Sequence, residues 1–141
     1  MRSFSRPPSL DDLTELAEDA LRQMPAEFQA RVRGAAIRVE DFADDETLDE
    51  MGFESPYDLS GLYRGVSLDR QGVGDVRQDL NMIFLYRIPI LLEWCETDED
   101  LPHLIRHVLI HEIGHHMGLS DDDMDRLEAA AEAEERRPRR S

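Results

Sequence analysis

The last third of the chain admits few folds. Leu101 to Met117 reads as one helix, with Pro102 tolerated in its first turn and Asp98, Glu99 and Asp100 placed at its positive end. Gly118 stops it, because glycine takes the left-handed conformation at no steric cost. Every histidine of the protein lies on this helix, between His103 and His116. His111 and His115 are four apart, so they leave the same face about 6 Å of rise apart. Leu104 and Val108 continue that face toward the N-terminus, which predicts a stripe pointing inward to a core-lined cleft.

Two imidazoles at this spacing can converge on one cation at roughly 2.0–2.1 Å, the distance zinc prefers. A catalytic zinc usually has three protein ligands and one open position. Beyond the turn at Gly118, Asp121 can swing back and supply the third, a carboxylate oxygen. Asp122, Asp123 and His116 compete for that role, although His116 points about 100° away from His115. Ser120 and Asp123 form a capping-box pattern for a last helix of about residues 121–136, which would fix Asp121 in its first turn. Glu112, one residue round from His111, is set to hold and deprotonate a water at the ion. A structural coincidence would show a bare His-Glu-x-x-His. The longer His-Glu-x-x-His-x-x-Gly-x-x-Asp at a predicted helix end favours a metal site. His103 and His107 continue the four-residue series backward, but each step drifts by about 40°. His107 is therefore expected near the cleft and His103 in solvent.

The rest of the chain reads as support for this segment. Residues 1–8 form a loose leader. Ser9 and Asp12 cap an amphipathic helix of about residues 10–24, and Pro25 opens a short second one through Arg31. Ile37 and Val39 alternate with Arg38 and Glu40 in a half-buried strand over 35–42. The acidic run from Asp41 to Glu50 lacks the alternating carboxylates and central glycine of a calcium loop, and predicts a solvated turn and a short helix ending at Gly52. A strand follows near Leu62–Ser67. Gly72-x-Gly74, in the polar stretch Asp69–Asp79, has no third glycine or following helix and reads as a hairpin turn. Asn81–Tyr86 is the strongest strand, continuous enough for burial on both faces or for an edge beside a covered cleft. Pro89 then opens a short helix to about Cys95. These elements predict one α+β domain over residues 1–141, with 1–8 and 136–141 flexible.

Composition narrows the function. The 141 residues carry 32 acidic groups against 16 basic ones, all arginine, for a net charge of −16. Such a surface repels phosphate backbones, so no nucleic-acid partner is expected. The tail Arg136, Arg137, Arg139, Arg140 reads as a solvated end. Cys95 is the only cysteine, which excludes an intramolecular disulfide and fits a reducing compartment. The N-terminus has no apolar core of a signal peptide, and Met82–Trp94 is too short and too interrupted to span a bilayer. A soluble, cytoplasmic protein without a membrane partner is expected.

The motif resembles the extended zinc-binding sequence of metzincin-type and Asp-zincin peptidases. Over His111–Arg126, HEIGHHMGLSDDDMDR, it is similar to the minimal zincin family of small bacterial metallopeptidase-like proteins. Gly61, Leu62, Tyr63 and Gly65 carry a weaker likeness over Leu62–Ile90. The resemblance implies a small mixed sheet packed against the active-site helix, Zn2+ held by His111, His115 and Asp121, and Glu112 as general base. It also implies a peptide or protein substrate, with the strand Asn81–Tyr86 bordering its cleft. An extended substrate would then add to that strand's edge. Tyr63, Tyr86, Arg87 and His107 are the candidates to steady an oxyanion. Only 20 residues follow Asp121, too few for a C-terminal subdomain. Two rivals stand beside a peptidase. One is a zinc-binding protein without turnover, in which the ion ties the last two helices together. The other is a zinc hydrolase of another substrate such as RNA, which the acidic charge disfavours.

Overall fold

The computed structural model describes residues 6–68 and 78–135. The leader through Ser5, the Gly72–Gly74 turn and the arginine tail lie outside the described residues. The elements are α1 (Leu10–Arg22), α2 (Ala26–Arg31), β1 (Ala36–Glu40), α3 (Asp45–Met51), β2 (Gly61–Leu68), β3 (Gln78–Tyr86), α4 (Arg87–Glu96), α5 (Leu101–Val108), α6 (Gly114–His116) and α7 (Asp121–Glu135), with a π turn at Leu109–Ile113 joining α5 to α6. The protein is α+β, as expected from the sequence.

Local chemistry sets the boundaries. The Ser9 hydroxyl accepts from the Asp12 amide while the Asp12 carboxylate accepts from the Ser9 amide, a complete capping box at α1. Asp44 caps α3 through the Thr47 amide, and Asp100 caps α5 through the His103 amide. At α7 the Ser120 hydroxyl accepts from the Asp123 amide, as the capping pattern predicts.

The three strands lie in the order β1-β3-β2. β1 runs parallel to β3, Ala36 opposite Met82, and β2 runs antiparallel to it, Gly61 opposite Leu85. The middle strand follows the strict alternation of side chains across a sheet. Ile83 and Leu85 enter the main core with Leu13, Phe28, Leu104, Ile105, Leu109 and Ile110. Phe84 and Tyr86 face the other way, into a smaller cluster with Leu48, Leu59 and Leu62. The continuous apolar run therefore reflects burial on both faces. Both edges of β3 are hydrogen-bonded over Met82–Leu85. This corrects the expectation that an extended substrate adds along Asn81–Tyr86, since no donors or acceptors remain there to receive it. The strand beside the π turn is β2, one of the two outer strands of the described sheet.

The motif helix lies across the main core. Leu101, Leu104, Ile105, Val108, Leu109, Ile110 and Ile113 are all buried. Each of these side chains removed from water contributes roughly 1.5–3 kcal/mol, so the position of the helix is set by packing. None of the described helices is long and apolar enough to cross a membrane.

Candidate metal centre

The helical segment from Leu101 to His116 is continuous, as expected, but it is not α-helical throughout. Over Leu109–Ile113 it widens into a π turn that contains His111 and Glu112. A π turn bonds i to i+5, so it takes up more chain per revolution, and such turns recur at functional sites. Residues beyond it come round on a different face from the one a continuous α-helix would give. The buried stripe of Leu104 and Val108 therefore does not run on through both motif histidines. His111 is partly buried, whereas His115 is exposed.

Past His116 the chain turns at Gly118, which has φ +80°, and α7 runs back antiparallel along the motif helix. Met124 packs against Gly114, Glu128 meets His111 and His107, and Arg106 lies 3.9 Å from Glu132. Gly114 makes the approach possible. A Cβ there would stand 3.2 Å from Met124 Sδ and 3.3 Å from Leu119 Cδ1.

The polar part of this hairpin is a single carboxylate between two histidines. His111 Nε2 lies 2.6 Å from Glu128 Oε2, and His107 Nδ1 lies 3.0 Å from Glu128 Oε1. The two rings stack, with centroids 4.2 Å apart and planes 28° apart. Burial on its own would raise the Glu128 carboxyl, but the hydrogen bonds from His111 and His107 outweigh it and hold the group below its ordinary range. One ligand atom from each of His107, His111 and Glu128 lies within 4.8 Å of the others. Two imidazoles and a carboxylate are a donor set zinc accepts, so the residues present fit a divalent metal.

Among the described residues this is the group of three that the structure gathers at such distances. His111 belongs to it. His115 and Asp121, the other expected ligands, are exposed on either side of the Gly118 turn and are not drawn into it. His107, expected near the cleft, stacks on His111, while His103 lies 3.3 Å from Asp100 at the start of α5. Glu128 did not stand out from the motif, although it flanks the buried stripe of Met124, Leu127 and Ala131 on α7.

Glu112 stands apart from the Glu128 network. Burial pushes its carboxyl above the ordinary range and the nearby Glu93 carboxylate adds to this, while His115, His107 and His111 pull the other way. A carboxylate with a raised pKa is a stronger base, which is the property general-base catalysis needs. Burial, followed by the charge of His115, lowers the pKa of His116.

A small mixed sheet lies under a histidine-bearing helix, with a half-buried glutamate next to the first motif histidine. The chain belongs to the zincin-like metallopeptidase family, which matches residues 32–131. That span takes in the whole sheet, the motif helix and most of α7. No curated protein matches the chain.

Proposed function

We propose that the protein is a zinc-dependent peptidase in which Glu112 is the general base and His111, His115 and Asp121 hold the metal. Family membership over 32–131, a span that contains the complete motif, is the observation that carries this reading. Zinc held there would act as a Lewis acid and lower the pKa of a coordinated water to about 7. Glu112 takes the proton of the attacking water and delivers it to the leaving amine. Burial and the nearby Glu93 carboxylate raise its pKa, which makes it a stronger base toward that water. His115 and Asp121 are exposed, so a cation reaches both from solvent.

The substrate strand belongs on β2 rather than β3. β2 is an outer strand and runs beside the π turn that carries His111 and Glu112. A peptide laid along it would form main-chain hydrogen bonds and bring a carbonyl past Glu112. Tyr63, one of the expected oxyanion donors, lies on β2 and is partly buried against the core.

The test is metal analysis of the purified protein combined with cleavage of a peptide library, comparing wild type with Glu112→Gln. Loss of cleavage with zinc retained is the expected result. Full hydrolysis by the glutamine variant would refute the role of Glu112.

A further inference from the structure

We propose that His107, His111 and Glu128 form a divalent-metal site of their own, built between the motif helix and α7. This site shares His111 with the motif set but takes its other two ligands from residues the motif does not contain. It does not depend on peptidase activity.

Four observations carry it. The first is convergence. Both oxygens of one carboxylate are engaged, each by a different ring nitrogen, at 3.0 Å and 2.6 Å. The second is ring geometry, since the stacked imidazoles each turn one nitrogen toward the same carboxylate. Four tetrahedral ligands at 2.0–2.1 Å from zinc stand roughly 3.3 Å apart, so an ion needs the 3.0 Å contact of His107 to open by about 0.3 Å and the 2.6 Å contact of His111 by about 0.7 Å. The third is access. The side chains of His107, His111 and Glu128 are 43%, 25% and 25% exposed, which leaves a path from solvent that a core hydrogen-bond network would lack. The fourth is the backbone. His107 and His111 lie four residues apart on the continuous helical segment, so both side chains reach α7 from one face.

A simple hydrogen-bonded strap between two helices would explain the contacts but predicts no metal. Binding requires each ring to present a lone pair where it now presents an N–H. A neutral imidazole does this by carrying its proton on the other nitrogen. The donor set, two imidazoles and one carboxylate, selects zinc and neighbouring first-row divalent ions over calcium or magnesium, which prefer all-oxygen sites. Because His111 is common to both sets, one ion at His107–His111–Glu128 and one at His111–His115–Asp121 would exclude each other. The protein would take one equivalent of metal.

The experiment is a Zn2+ titration of the full-length protein against a chromophoric chelator, with Co2+ absorption as a second signal. It is run on wild type, His107→Ala, Glu128→Gln, His115→Ala and Asp121→Asn, each checked for folding by circular dichroism without metal. Glu128→Gln keeps a hydrogen-bonding side chain of the same size, so the helix pair stays joined when the charge is lost. The expected result is that His107→Ala and Glu128→Gln weaken zinc binding by about 10–100-fold or more and alter the Co2+ spectrum. Wild-type affinity in both variants overturns the site. If His115→Ala and Asp121→Asn alone weaken binding, the motif set stands and this one falls. If His107→Ala and Glu128→Gln alone do so, this one stands and the motif ligand set falls. Losses in both pairs support alternative settings that share His111. No zinc bound by the wild type overturns both.

Discussion

Gly61 and Val108 meet so closely that a Cβ on the glycine would stand 3.1 Å from Val108 Cγ1, with Leu85 Cδ2 and the Phe84 carbonyl each 3.4 Å away. The missing side chain on β2 is what seats the motif helix against the sheet. Val108 is buried and immediately precedes the π turn, so a shift there is passed straight to His111 and Glu112. Gly61→Ala is expected to destabilise the protein by about 1–3 kcal/mol, the usual cost of overpacking a core. Urea unfolding measures it. Gly61→Ala combined with Val108→Ala should not cost the sum of the two single changes, because the second makes room for the first.

Gly114 offers a contrast, since the atoms a Cβ would meet there are the tips of flexible side chains. Met124 Sδ lies at 3.2 Å and Leu119 Cδ1 at 3.3 Å. Methionine repacks readily, and alanine in place of a helical glycine gains about 0.8–1.0 kcal/mol of propensity. The two effects oppose each other with similar size, so Gly114→Ala should leave stability within about 1 kcal/mol of wild type. Gly114→Val adds bulk without the helix gain and should lose substantially more. Thermal unfolding of the two variants side by side decides it.

Much of the scaffold was legible because single residues signalled it locally. Ser9, Asp100, Gly52, Gly118 and Ser120 each mark a helix end by chemistry that acts within a few residues. The run Asn81–Tyr86 read correctly as a strand, and of the two readings its lack of alternation left open, burial on both faces is the one the structure has. The candidate site was less legible. Nothing in the local sequence announces that Leu109–Ile113 winds as a π turn. The four-residue rule pairs His111 with His115 and with His107 alike, and the structure stacks His111 on His107 while leaving His115 exposed. Glu128 is a long-range partner, brought in by a helical hairpin whose cross-contacts, Gly114 with Met124 and Arg106 with Glu132, are arranged about Leu119. Folding the last two helices back on each other at Gly118 points to Glu128 from the sequence alone.

Gly118 makes a clean test of that hairpin. At φ +80° a Cβ would meet no other atom within 4 Å, so any cost of substitution is conformational. Gly118→Ala should lose about 1–2 kcal/mol, the penalty of the left-handed region for an ordinary residue, and Gly118→Asn should lose less. Because the turn sets the path of α7, the alanine variant should also loosen the His111–Glu128 contact. The histidine ring signals in nuclear magnetic resonance spectra would report this. Equal stability of the alanine and asparagine variants would contradict the account.

Tyr86 gives the protein a sensitivity to alkaline pH far from the histidines. Burial, then the charges of Glu40 and Asp44, raise its pKa from 10.0 to about 12, with Arg64 opposing. In the unfolded chain the phenol ionises near its ordinary value, while the folded state keeps it neutral. The unfolded state therefore releases a proton first, and stability falls as pH rises. The contribution is fully present below about pH 10 and is lost progressively between about pH 10 and about 12. Tyr86→Phe removes the ionisation and should flatten this part of the stability curve, although it changes the small cluster around Leu48, Leu59 and Leu62 by only one hydroxyl. Urea unfolding midpoints across this range, with the phenolate absorbance of the folded protein followed in parallel, provide the check. A midpoint that falls equally steeply in the phenylalanine variant would assign the alkaline loss to another group.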